Sequence, residues 1–141
     1  MIYYVTGFMF SKNGGQVALI KKLTPAWQNG LLNGIGGKIE KNELPHQSMA
    51  REFEEEAGVI TQPDDWTLFC VLTRPNNYRV HFFFTFSDKV YSTKTIEQEE
   101  IIQLRSDELP SNIIENLRWL IPLALNHSLS FTKPIEIEEN A

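Results

Sequence analysis

Three glutamates, Glu52, Glu55 and Glu56, crowd the stretch Arg51-Glu52-Phe53-Glu54-Glu55-Glu56-Ala57-Gly58-Val59. On a helix that advances about 100° per residue they share one arc, while Ala50, Phe53 and Ala57 fall on another that can face a core. Like charges three and four residues apart disfavour a helix by roughly a few tenths of a kcal/mol per pair. The clustering therefore costs the fold a little unless a cation sits there. Carboxylate oxygens are hard ligands suited to Mg²⁺ or Mn²⁺, which keep some waters and take their remaining ligands from substrate phosphates. An acidic helix of arbitrary sequence is most simply a solvated face. What lies around this one decides between the two.

The helical stretch spans 46–57, and Gly58 supplies its stop. Ahead of it runs a Gly-rich segment, Asn29-Gly30-Leu31-Leu32-Asn33-Gly34-Ile35-Gly36-Gly37-Lys38, too flexible for a helix interior. Apolar runs at 2–10 and 16–20 flank Ser11-Lys12-Asn13-Gly14-Gly15, whose Asn and Gly tolerate the positive φ of a tight hairpin. A second strand pair, 66–73 and 78–86, brackets Arg74-Pro75-Asn76-Asn77, and 100–104 reads as a further strand. The run Phe82-Phe83-Phe84, with Phe86, suits a strand buried on both faces. Helical spacing of Ile113, Leu117, Leu120, Ile121 and Leu125 predicts a last helix over 112–125, broken or kinked at Pro122. The charged tail, 131–141, is expected to fray. Strands interleaved with two helices give an α/β or α+β domain.

The spacing upstream of the glutamates is the discriminating feature. Gly37 is followed by five residues, Glu43, seven residues, then Arg51-Glu52-Phe53-x-Glu55-Glu56-x-Gly58-Val59. This string resembles the Nudix box at nine constrained positions over 23 residues, with Phe53 where a bulky apolar residue is asked for. The resemblance implies an α/β/α sandwich with a mixed sheet, built around the Nudix loop-helix-loop. It also implies hydrolysis of a phosphoanhydride bond with Mg²⁺, or Mn²⁺ as a substitute. In that reading the Gly36 carbonyl and the carboxylates of Glu52, Glu55 and Glu56 gather the metal. Arg51 pairs with Glu43 and orients the carboxylates, and Glu52 leads as general base. A later loop, Glu97-Gln98-Glu99-Glu100, resembles the family's acidic residue ahead of a strand and an Asp-Glu-Leu turn, which favours Glu100 as a further metal ligand or base. Gln103 stands there where many relatives carry Trp.

Substrate choice rests on features outside the box. Asn33-Gly34-Ile35-Gly36-Gly37-Lys38 is similar to the segment preceding the box in MutT-type enzymes that clear oxidised purine nucleotides. Asn116, Trp119 and Pro122 resemble the start of that subgroup's last helix, where an amide reads the base edge with a donor and an acceptor. Asn33 could equally shape the Gly-rich loop, and Asn116 could equally be an exposed helix residue. Trp119 is expected in the core. Lys22, ending the second strand, matches a basic position near the phosphates, and Lys38 adjoins the box. The expected reaction is hydrolysis of a nucleoside triphosphate, oxidised purine deoxynucleotides among them, to a nucleoside monophosphate and pyrophosphate. Rival readings are an ADP-ribose or nucleotide-sugar pyrophosphatase, a dinucleoside polyphosphate hydrolase, or a Nudix-like nucleotide sensor that does not cut. The intact carboxylate set speaks against the sensor.

Composition narrows the partners. With 141 residues, 42% of them hydrophobic and 11% aromatic, the chain is expected to form a single domain over 1–141. Thirteen basic against 18 acidic residues leave a net charge of -5, which repels polymeric nucleic acid. No stretch approaches the ~20 apolar residues that cross a bilayer, and 1–10 lacks the features of a secretory leader, so a cytoplasmic protein without a membrane partner is expected. Cys70 lies in an apolar run and reads as a small buried hydrophobe. His46, His81 and His127 have no metal-site spacing. Nothing in the sequence fixes an oligomeric state.

Overall fold

The glutamate helix is bounded as local chemistry requires. Pro45, whose missing N–H costs nothing at a first helical position, opens α1 (Pro45–Ala57). The Gln47 side chain accepts from the Leu44 N–H at 2.9 Å, and Gly58 closes the helix in the left-handed conformation at φ 73°. In this computed structural model, which describes residues 1–140, the helix lies against a mixed sheet. The strands are β1 (Ile2–Phe10), β2 (Gln16–Lys21), β3 (Leu32–Asn33), β4 (Ile35–Lys38), β5 (Thr67–Arg74), β6 (Tyr78–Phe86), β7 (Glu100–Arg105) and β8 (Ile135–Glu138). A second helix, α2 (Leu117–Leu125), follows β7.

The sheet runs β3-β2-β1-β6-β5-β8, with β4 joined to β1 and β7 to β2. β1 lies parallel to β6 and β5 parallel to β8, and the remaining pairs are antiparallel. Alternation along the strands sorts side chains to two faces. Phe8, Phe10, Val17, Leu19, Leu72 and Phe82 join Leu117, Leu120, Ile121 and Ala124 of α2 in one core. Val5, Met9, Ala18, Ile20 and Phe83 join Met49, Ala50, Phe53 and Ala57 of α1 in the other. The helices therefore cover opposite faces, as the expected sandwich requires, and the neighbouring Phe82 and Phe83 are buried on opposite sides. Fully burying a side chain such as Phe53 contributes roughly 1.5–3 kcal/mol, far more than the repulsion among the glutamates on its far side.

The strand β1 changes partners midway. Met9 and Phe10 pair with Ala18 and Val17 of β2, whereas Tyr4 to Gly7 pair with Lys38 to Ile35 of β4. The Gly-rich segment has thus become two short strands. At Gly36 a side-chain carbon would overlap the Val5 carbonyl, so only glycine lets β4 come this close.

Three expectations are corrected. The last helix begins at Leu117 because Leu32 captures the residues before it: its N–H bonds the Asn112 carbonyl at 2.8 Å, and its carbonyl accepts from Ile114 at 2.9 Å. The helix then passes through Pro122 and ends three residues later. The tail does not fray along its described length. Phe131 sits edge-on against Phe69 and Phe84 at 5.7 and 5.9 Å, and β8 pairs with β5. Ala141 lies outside the described residues. Finally, Trp119 is 41% exposed, since α2 turns Leu117, Leu120 and Ile121 inward and Trp119 away. Cys70 is buried as expected, and burial pushes its thiol up to about 11.

Candidate active site

Arg51 is the hub of the carboxylate face. Its Nε and one terminal nitrogen donate to both oxygens of Glu43 at 2.7 and 2.9 Å, a bidentate pair. Its other terminal nitrogen donates to Glu52 at 2.9 Å and Glu55 at 3.2 Å, while the one shared with Glu43 also donates to the Lys38 carbonyl at 3.1 Å. Glu43 also accepts from the Ser48 hydroxyl and the Glu40 N–H. Arg51 chiefly, with Ser48 assisting against burial, holds the Glu43 carboxyl down to about 2. The expected Arg51–Glu43 pair is therefore present. One guanidinium fixes both ends of the loop between β4 and α1 and two of the three glutamates.

Their environments differ. Glu55 is exposed, Glu52 is buried beneath the Gly36–Gly37 strand, and Glu56 lies between these extremes. Burial raises the Glu52 carboxyl, with Arg51 opposing. Burial also pushes Glu56 up to about 7, and the neighbouring Glu52 adds to the rise. The Oε2 of Glu56 is buried without a hydrogen-bond partner. An orphaned, partly desolvated carboxylate beside a second one, with the Gly36–Gly37 backbone at hand, is a donor set that fits a hard divalent cation. Among the described residues, no three His, Cys, Asp or Glu side chains form a ready-made cage. Ions of this type complete their shells with water and phosphate oxygens.

The acidic loop meets the same helix end. Glu97, Glu99 and Glu56 line a cavity of about 230 Å³ with Leu23 and Thr24. Glu99 bonds the Lys22 ammonium at 3.0 Å and accepts from the Leu23 N–H at 2.7 Å. Glu100, the residue the sequence favoured, is exposed at the start of β7 opposite Lys21. The structure thus brings its neighbour Glu99 to the carboxylate face. Gln103, in the Trp position, donates instead to Thr93, tying β7 to the preceding turn.

A larger cavity, about 500 Å³, opens beside β4 on the face of α2. Gly36, Gly37 and Lys22 line its end nearest the carboxylates, and Asn33, Gln28 and Asn116 line its interior. Leu72, Val80 and Phe82 form an apolar wall. Such a volume and mixed lining suit a small organic ligand. Asn33 bonds Gln28 at 3.3 Å and the Gly34 N–H at 2.8 Å, so it shapes the loop and faces the cavity at once. The Oδ1 of Asn116 is buried with no partner. Lys38 is exposed and outside the cavity lining. Sequence reasoning passed over Trp27, Tyr78 and Glu139, which also line the cavity. Trp27, an aromatic between Ala26 and Gln28 just past Pro25, carried a legible signal and is 69% exposed; Glu139 carried none.

Carboxylates for a cation on one face of the sheet, joined past two glycines to a ligand cavity on the other, define a hydrolase of phosphoanhydride bonds. A family model described as NUDIX domain matches residues 3–133, and the chain belongs to that family. It is a Nudix hydrolase, of a class that acts with a divalent metal on nucleoside diphosphate derivatives. The fold is shared with solved structures of low sequence identity. A NUDIX hydrolase from Nitrosomonas europaea is 20% identical with a TM-score of 0.71, the match covering 98% of this chain and 79% of that one. A MutT NUDIX hydrolase from Burkholderia pseudomallei is 20% identical at 0.70, over 86% and 95%. A MutT structure from work on Aliivibrio salmonicida and Vibrio cholerae is 21% identical at 0.67, over 86% and 98%. Comparison with curated proteins by sequence finds no match. Among the described residues, no helix is long and apolar enough to cross a membrane.

Proposed function

We propose that this chain hydrolyses a nucleoside triphosphate to the monophosphate and pyrophosphate with Mg²⁺, Mn²⁺ substituting, and that purine nucleotides, oxidised ones included, are its substrates. The observation that carries this reading is the continuity of one cavity from Gly36 and Gly37, against which Glu52 is packed, to the buried unpartnered oxygen of Asn116. An amide at that depth has an acceptor waiting for a base-edge donor, since buried polar atoms in native proteins are otherwise paired. The fold shared with structures named MutT is compatible with that reading.

When bound, the cation supplies charge neutralisation to the phosphate oxygens and acidity to the attacking water. Glu52, Glu55, Glu56 and the Gly36 carbonyl are the groups that hold it. Glu52, raised by burial and oriented by Arg51 at 2.9 Å, is poised to take the proton from water. Glu43 keeps Arg51 in place, so it acts through orientation rather than contact. Lys22, near Glu56 and at the cavity edge, offsets phosphate charge, while Lys38 lends positive charge from outside.

The test is a hydrolysis screen over nucleoside triphosphates, oxidised purine nucleotides and ADP-ribose, with and without Mg²⁺, measuring phosphate against pyrophosphate release. Metal-dependent pyrophosphate release from purine triphosphates is expected. Turnover confined to ADP-ribose, or tight nucleotide binding with no cleavage, would replace this reading with one of its rivals.

A further inference from the structure

Part of the wall of the large cavity is set by Glu139, the residue that follows the last strand. β8 pairs in parallel with β5, Thr73 lying opposite Glu138, and the Glu139 N–H then bonds the Thr73 carbonyl at 2.8 Å. This anchors the backbone of Glu139 and sends its side chain to the cavity wall beside Asn77 and Tyr78. The Tyr78 hydroxyl donates to one carboxylate oxygen at 2.6 Å, and Arg74 donates to the other at 3.3 Å. Each oxygen retains lone-pair capacity after one bond. The chain thus fixes a carboxylate with two hydrogen bonds at the mouth of a cavity, where an unrestrained Glu side chain would otherwise turn to solvent.

The fixed Glu139 carboxylate and the side-chain amide of Asn116, whose Oδ1 is buried without a partner, thus belong to the walls of one cavity. Between them lies the apolar wall of Leu72, Val80 and Phe82, flat enough in chemistry to meet the face of a ring. Acceptors of this kind are satisfied by N–H groups and are left unpaired by a ligand edge that presents only carbonyls or lone pairs. Resting on the nucleotide reading above, we infer that Glu139 is a specificity-determining residue, and that the pocket selects nucleobases whose edge carries an exocyclic amino group as donor.

Two substrate pairs differ by one amino group: guanosine against inosine triphosphate, and adenosine against purine riboside triphosphate. The wild-type chain is expected to favour the amino-bearing member of at least one pair by about 10-fold in kcat/KM, within the discrimination open to a site that pairs a substrate N–H. Glu139→Gln should bring that ratio below about 3-fold, the larger loss falling on the amino-bearing member. Tyr78→Phe, which frees the carboxylate without removing it, should lower the ratio part of the way. It also keeps the test decisive if Glu139→Gln folds poorly. A wild-type ratio near one in both pairs, a ratio unchanged in Glu139→Gln and Tyr78→Phe, or equal losses on both members would overturn the inference alone. Failure of the wild type to cleave any of the four would sink the purine-triphosphate reading of the preceding subsection as well.

Discussion

Adjacent glycines in β4 offer a paired test, because a methyl group at each would meet a different kind of atom. At Gly37 the added carbon would stand 2.6 Å from the Cδ and both oxygens of Glu52, where ordinary contact begins at 3.4 Å. The Glu52 carboxylate must then move by about 1 Å, and its 2.9 Å bond to Arg51 is stretched or lost. Misplacement of that size costs about 10²-fold in rate, or about 2.7 kcal/mol of barrier. The fold should tolerate it, because a side chain yields and alanine loses less unfolded-state entropy than glycine, worth about 0.4–1 kcal/mol. At Gly36 the same methyl overlaps a backbone carbonyl, that of Val5, so the β1–β4 pairing itself must open. Overpacking of this kind costs about 1–3 kcal/mol or more. Gly37→Ala is therefore expected to melt near the wild-type temperature with kcat/KM down about 10²-fold, and Gly36→Ala to melt lower. Steady-state kinetics and thermal melts on both variants decide the matter. A folded Gly37→Ala enzyme within about threefold of wild-type kcat/KM would refute the claim that the seat of Glu52 governs catalysis.

Further outcomes follow from the same geometry. Glu55→Gln and Glu56→Gln should each cut turnover by roughly 10²-fold or more with the melting curve little changed; near-normal rates at saturating metal would exclude their metal role. Asn116→Ala should erode discrimination between purine and pyrimidine triphosphates more than it slows the better substrate, and equal losses on both would count against base contact. Glu43, held down to about 2, contributes stability that is complete above its ordinary 4.5 and disappears as pH falls from 4.5 towards 2. After allowance for solvent screening this amounts to about 1–2 kcal/mol. Chemical denaturation across that acid window should show wild type and Glu43→Gln converging, and parallel curves would remove the pair from the stability argument.

The box was legible because its chemistry is local. Helical spacing alone places Glu52, Glu55 and Glu56 together, and the Arg51–Glu43 pair follows from a turn that returns eight residues of chain to the same helix. The strand pairs were readable for the same reason, each lying next to its partner in sequence. What sequence hid depends on distant partners. Residues 112–114 fall within the expected helix, yet Leu32, some eighty positions earlier, binds them to β3, and 115–116 form the turn into α2. The tail looked polar, but β5 offers a free edge and Phe69 a ring for Phe131. Glu139 reached the cavity only through that pairing. Glu99 rather than Glu100 lines the cavity with Glu56, because the bend before β7 turns Glu99 to Lys22 while Glu100 already pairs across the sheet with Lys21.

The parting of β1 between β2 and β4 has a broader meaning for how such a hydrolase diversifies. It leaves the sheet bare of side chains at one spot, and through that window the machinery for cutting and the chamber for recognition touch while drawing on separate cores. Away from β1 and β4, the chamber is walled by the 22–28 loop, β5, β6, the residue that follows β8 and the turn before α2, none of which holds a glutamate of the box. New leaving groups can be accommodated by rewriting those elements without unsettling the helix that performs the chemistry.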